Sequence, residues 1–134
     1  MKHFKLLLLV FSGVLLFYSC RRLEQITGQD VRSFIPGTYV NYAEGEFSVA
    51  NDTLLIQPMD AGSDAYRIYR NTAFRRVVEG KLGSAEQRHE KWLAVYDEKT
   101  RTLLESKKGK TISIFPDSGL VVVGSREYRK VEKE

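Results

Sequence analysis

The sequence predicts an all-β domain: a small antiparallel up-and-down β-barrel of about 8–10 short strands, following a signal peptide. Three observations carry this expectation. From Phe34 onward, apolar and β-branched residues recur in short runs. Turns rich in Gly and Asp join these runs at intervals of roughly 8–12 residues, the spacing of sandwiches and barrels. Nothing between them supplies the long crossover that a parallel sheet requires.

Taken in order, Gly37 to Tyr42 forms the first run, and a Glu44-Gly45 turn leads to Glu46–Ala50. Asn51-Asp52 is read as a turn into Thr53–Gln57, because Asn and Asp side chains bond their own backbone in turns. The Gly/Asp/Ser-rich loop Pro58–Asp64 then leads to Tyr66–Arg70 and Ala73–Glu79. Gly80 to Glu90, the most polar long stretch, is expected to be a connection, with a helical turn confined to Ser84–Lys91. The remaining runs are Lys91–Tyr96, Thr102–Ser106, Thr111–Phe115, Leu120–Val123 and Glu127–Val131. Closing such a meander removes the exposed strand edges that invite aggregation.

Alternation assigns an inward face. Phe47 and Val49 share one side, as do Tyr66 and Ile68, Trp92, Ala94 and Tyr96, and Ile112 and Ile114. Glu46, Ser48, Arg67, Thr111 and Ser113 fall on the other side, as in a sheet wet on one face. Leu93 and Val95 flank Ala94, and Leu120 to Val123 is apolar throughout, so both strands are expected to need cover on their outer faces.

The N-terminus is read as an address. Lys2 and Lys5 precede the apolar run Leu6–Phe17, and a charged region followed by roughly 7–15 apolar residues is a secretory signal. As a membrane span the run is short, since crossing takes about 20 apolar residues. Phe17-Tyr18-Ser19-Cys20 resembles the lipobox of bacterial lipoproteins, with Phe17 where Leu is usual and a bulky Tyr18. That resemblance implies acylation of Cys20, the single cysteine, with diacylglycerol and palmitate-type chains, and a membrane-attached mature chain. Two or three acyl chains anchor firmly where one holds only marginally. The domain division is 1–19 signal peptide, 20–33 lipidated tether and 34–134 barrel. In some Gram-negative lineages an acidic stretch after the cysteine directs surface display. Arg21-Arg22-Leu23 lacks it, so a periplasm-facing place in the cell envelope is expected.

Phe34-Ile35-Pro36-Gly37-Thr38-Tyr39 resembles the opening of lipocalin-like domains, whose first strand carries a Gly-x-Trp element, with Tyr39 in the Trp position. Tyr128-Arg129-Lys130-Val131 is similar to the last strand of small lipocalin-like lipoproteins, in which an Arg packs over the first-strand aromatic. The whole chain resembles small Gram-negative lipoproteins, some encoded near conjugation genes, a link that implies no mechanism.

Catalytic chemistry is not visible. The mature chain has one histidine, His89, in a polar stretch with Arg88, Glu90 and Lys91. A catalytic His needs a nucleophile and an orienting carboxylate, and no nucleophile motif such as Gly-x-Ser-x-Gly occurs. Asp97-Glu98-Lys99-Thr100 lacks the alternating oxygen ligands of a calcium loop and suits a hairpin turn. No cofactor and no metal are assigned. Removing residues 1–19 leaves 19 basic against 17 acidic residues, too balanced for a nucleic-acid partner.

The richest cluster runs from Tyr66 to Arg76. There Arg67, Tyr69, Arg70, Arg75 and Arg76 form the candidate partner-binding set, since arginine chelates carboxylates and stacks on aromatics. The plain alternative is a solvated sheet face with arginines paired to Glu79, Glu90 or Glu105. The reading is therefore a membrane-anchored, non-enzymatic envelope lipoprotein that binds another protein. The alternatives are a small-molecule binder of lipocalin type and an envelope hydrolase or hydrolase inhibitor.

Overall fold

The structure, a computed structural model, describes residues 31–132. After a helical turn over residues 31–34, eight strands follow. They are β1 (Gly37–Glu44), β2 (Ser48–Pro58), β3 (Ala65–Val78), β4 (Lys81–Asp97), β5 (Thr102–Glu105), β6 (Thr111–Phe115), β7 (Leu120–Val123) and β8 (Arg126–Lys130). Each pairs antiparallel with its sequence neighbour, and β8 returns to β1, closing an up-and-down barrel. Tyr39 opposite Lys130 and Val40 opposite Arg129 form the closing seam. The Val131 amide, donating to the Thr38 carbonyl at 2.8 Å, extends it.

Several expected breaks are continuous strand. Asn51 and Asp52 lie inside β2, opposite Tyr42 and Asn41 on one side and Ala73 and Thr72 on the other. Two of the shorter expected strands likewise fuse into β3. The stretch 80–90, expected as a connection with a helical turn, is the first half of β4. Glu79 and Gly80, both at positive φ (51° and 73°), make the two-residue turn between β3 and β4. Paired positive φ at both turn positions matches the twist of a hairpin.

Continuity of β2 also corrects a facing. Leu54 and Ile56 point inward, so the even-numbered residues of the strand do. Ser48 and Ala50 accordingly line the interior. Phe47, read as inward, is 74% exposed. A break at Asn51-Asp52 had left the first half free to take the opposite parity. Val49, read as inward with Phe47, falls on the same outward side, whereas Tyr66, Ile68, Trp92, Ala94, Tyr96, Ile112 and Ile114 are buried as expected. Leu93 and Val95 point outward and, with Leu104 paired to Val95, stay exposed on the convex face.

One end of the barrel is sealed. Val31 and Ile35, from the helical turn and the residue after it, belong to the same buried core as Tyr39, Leu54 and Tyr128. Residues 31–33, assigned to the tether, thus contribute Val31 to the folded domain. The Tyr39 hydroxyl lies 2.7 Å from the Phe34 carbonyl and 3.0 Å from that of Ile35. Burial pushes this phenol's pKa up, which keeps it a donor. The cation over the first-strand aromatic is Lys130, with its Nζ 5.6 Å from the Tyr39 ring centre and 4.4 Å from that of Phe34. Arg129 sits one residue away, exposed and opposite Val40. Lys130 also donates to the Phe34 carbonyl. Gly37 adopts φ 146°, a conformation that side-chain-bearing residues rarely take, and a Cβ there would also lie 2.8 Å from Lys130 Cε, so a glycine suits this entry.

Candidate binding site at the open end

Strand length decides where the barrel opens. β2, β3 and β4 have 11, 14 and 17 residues, whereas β5 to β8 have 4, 5, 4 and 5. Away from the sealed end, the long strands rise as a tall wall. The turns joining β5 to β6 and β7 to β8 make a low rim opposite. Side chains that would pack a core nearer the sealed end here face a cavity of about 890 Å³.

The floor of this cavity is a network around Asp52. Alternation along β2 turns its carboxylate inward, and the residue is only 2% exposed. Arg70 on β3 donates from Nε at 3.0 Å and makes a 2.5 Å ion pair from its terminal nitrogen. Thr72 Oγ donates at 3.1 Å and the Tyr128 hydroxyl at 2.7 Å. Arg126 approaches from the rim at 3.3 Å. The second face of Arg70 pairs with Glu90 on β4 at 3.0 Å, and Lys110 lies 3.9 Å from the same carboxylate. Trp92 lies beneath, its ring 5.6 Å from the Arg70 guanidinium and 4.2 Å from the Lys110 ammonium.

The electrostatics follow from this packing. Burial alone would raise the Asp52 pKa. Hydrogen bonds from Arg70 and Tyr128, the Arg70 charge and the Thr72 hydroxyl outweigh it and hold the carboxyl below its ordinary range. Tyr128 moves the other way, to about 12, because burial and the neighbouring Asp52 charge both disfavour a phenolate. Asp52 thus stands as a fully partnered anion, and such satisfaction is what a buried charge requires.

Above that floor the balance is one-sided. Arg70, Arg76, Arg88, Lys110 and Arg126 line the cavity above Asp52, and among the described residues no acidic side chain lines it there. Among the described residues, Arg76 has only a 3.8 Å pair with exposed Glu86, and no ion pair engages Arg88. Phe74 supplies an apolar surface between them. The arrangement offers excess positive charge in a concavity, where low-dielectric walls strengthen attraction for anions.

The expected partner-binding set is divided by the barrel wall. Arg70 and Arg76 point into the cavity; Arg67, Tyr69 and Arg75 lie on the convex side. Arg76 occupies the irregularity where the β3–β4 register shifts between Arg75 and Val77. Of the pairings considered for the arginines, Arg70 with Glu90 is present. Glu105 instead accepts from the backbone amides of Lys107 and Lys108, at 2.9 and 2.7 Å. His89 is exposed on β4 rather than in a loop. The Asp97 turn behaves as expected, the carboxylate accepting from the Lys99 amide at 3.0 Å and the Thr100 hydroxyl at 3.1 Å. Cys20 lies outside the described residues.

Sequence reasoning missed Asp52, Arg88, Lys110 and Arg126. The available signal was an acid two residues before Leu54 and four before Ile56, on the side those residues bury. Among the described residues, no group of three or more His, Cys, Asp or Glu is placed to hold a metal ion.

Fold and site together define an eight-stranded barrel sealed at one end and opening at the other into a basic cup. Compared with known protein families, curated proteins and solved structures, the chain has no match.

Proposed function

We propose that this protein is a lipid-anchored, non-enzymatic binding protein of the bacterial cell envelope, and that its basic cup receives an acidic protein partner. The observation supporting this reading is the cavity lining, where five basic side chains stand over the single carboxylates of Asp52 and Glu90, an excess of positive charge. Arginine suits the task, because its planar fork pairs with carboxylates in two-point geometry. The anchor rests on the lipobox-like Phe17-Tyr18-Ser19-Cys20.

The test reverses charge on the cup. Arg76 and Arg88 are exposed, and Arg76 makes only a long surface pair with Glu86, so R76E/R88E leaves the fold intact. In-cell crosslinking followed by mass spectrometry should recover an acidic partner with the native chain and lose it with this variant. The wild-type interaction should weaken as salt rises. Reversing Arg67 and Arg75 on the convex face should leave recovery unchanged. If the cup variant keeps every crosslinked partner, the cup is not the site.

The cavity volume favours a second reading, in which the occupant is a small anionic molecule, since ligand pockets span roughly 300–1,000 Å³. Native mass spectrometry of the purified protein separates the two by the mass of what is bound.

The anchor has its own test. Cys20→Ala should leave the barrel folded but release it from the membrane, and a fatty-acid analogue should label only the native chain. Equal labelling of both chains would refute acylation at Cys20.

A further inference from the structure

β4 is paired on both sides only at its end. β3 accompanies it from Lys81 to Val95, whereas β5 meets it only from Ala94 to Asp97. The direction of the remaining backbone groups follows from two bonds. The Leu93 carbonyl accepts from Ser106 on the β5 side, and the Tyr96 amide donates to Asp64 on the β3 side. In an antiparallel ladder these directions alternate along the strand. The odd-numbered residues Ala85, Gln87, His89 and Lys91 therefore turn their N–H and C=O groups away from β3. Among the described residues, no hydrogen bond meets them there.

Unpaired strand edges are usually short or covered, because they template further pairing. This one is long and borders the cup. Its inward side chains include Arg88, and the basic Lys110 lies across the opening. At the lower end the edge meets a groove of about 420 Å³ between Glu90–Leu93 and the Glu105–Lys108 turn. Both acids there are engaged, Glu90 by Arg70 and Lys110 and Glu105 by backbone amides, so Lys107 and Lys108 leave the groove basic.

Resting on the reading that the cup takes an acidic protein partner, we propose how it does so: an extended segment of that partner adds to the β4 edge at Ala85–Lys91 as a further strand. Its side chains then alternate between the cup and the convex side. Those entering the cup meet Arg88 and Lys110, so the segment carries acidic residues at every second position. A second copy of this chain suits the edge less well, because it would bring one basic cup against another.

The probe is a fluorescein-labelled octapeptide alternating Glu and Thr, titrated into the full chain in detergent. Binding should protect the amides of Ala85, Gln87, His89 and Lys91 from hydrogen exchange. N-methylating the peptide at alternate residues on its bonding side should weaken binding by about tenfold or more, since several backbone bonds are lost together. His89→Pro removes an outward N–H that β3 does not use and should weaken binding similarly. R88E should also weaken it.

If R88E abolishes binding while N-methylation and His89→Pro change nothing, strand addition is wrong and the cup reading stands. If none of the three changes matters, both are wrong. A dimer seen by sedimentation without peptide and dissolved by His89→Pro would assign the edge to a second copy and overturn the proposal. The N-methylated peptide acts on unaltered protein, so the test does not depend on the proline variant folding.

Discussion

Asp52→Ala is expected to cost about 3–5 kcal/mol of folding stability, the penalty for stranding a buried charge whose partner is removed. The stranded group is Arg70, largely buried and left with Glu90 alone. For a domain of this size that is a large part of the roughly 5–15 kcal/mol available, so urea denaturation should show a marked fall in midpoint. Arg126→Ala should cost under about 1 kcal/mol, because that side chain is 54% exposed and bonds the same carboxylate from the rim. Equal losses for the two variants would mean that Asp52 is not the hub.

The same residue sets an acid limit. Its pKa is lower in the folded state than in the unfolded chain, so the unfolded state binds the proton more readily as pH falls. The contribution is complete above the unfolded value near 4 and is lost as pH drops through the folded value. A pH series of melting temperatures should show an acid limb below about pH 4 that flattens in Asp52→Asn.

Trp92→Ala should cost about 3–5 kcal/mol, the usual penalty for truncating a buried large aromatic. The ring is 6% exposed and belongs to the core, and its upper face carries the two cations at the cup floor. The variant should therefore melt well below the native protein and loosen Lys110. Trp92→Phe should recover part of the loss. An unchanged melting temperature would contradict burial of this ring.

The legible parts of this fold were those where burial imposes a period. Trp92, Ala94 and Tyr96 alternate because one face of their strand is in the core. The earlier half of β4, residues 81–90, has no such period, because above the core both of its faces meet water. Its polarity therefore resembled a loop. Asn51-Asp52 misled for a different reason: both residues favour turns locally, and only the long-range partners Arg70 and Tyr128 make an inward Asp52 stable. Those partners lie 18 and 76 residues away, beyond the reach of local pattern. The cup was half visible for a related reason. An arginine cluster announces itself along one strand, but Arg88, Lys110 and Arg126 reach the same cavity from three other segments.

The sealed end also fixes how the molecule is held. Val31 lies at the closed base, in the same core as Ile35 and Tyr39. With the anchor proposed at Cys20, ten residues lie between it and Val31, a reach of at most roughly 40 Å. β4 alone, at 17 residues, runs about 56 Å along its length. A tether shorter than the wall it carries favours a vessel standing on its base, with the mouth held out into the aqueous space. With that proposed anchor, the bilayer would act as a shelf, presenting the opening to whatever diffuses past while withholding it from the lipid headgroups below.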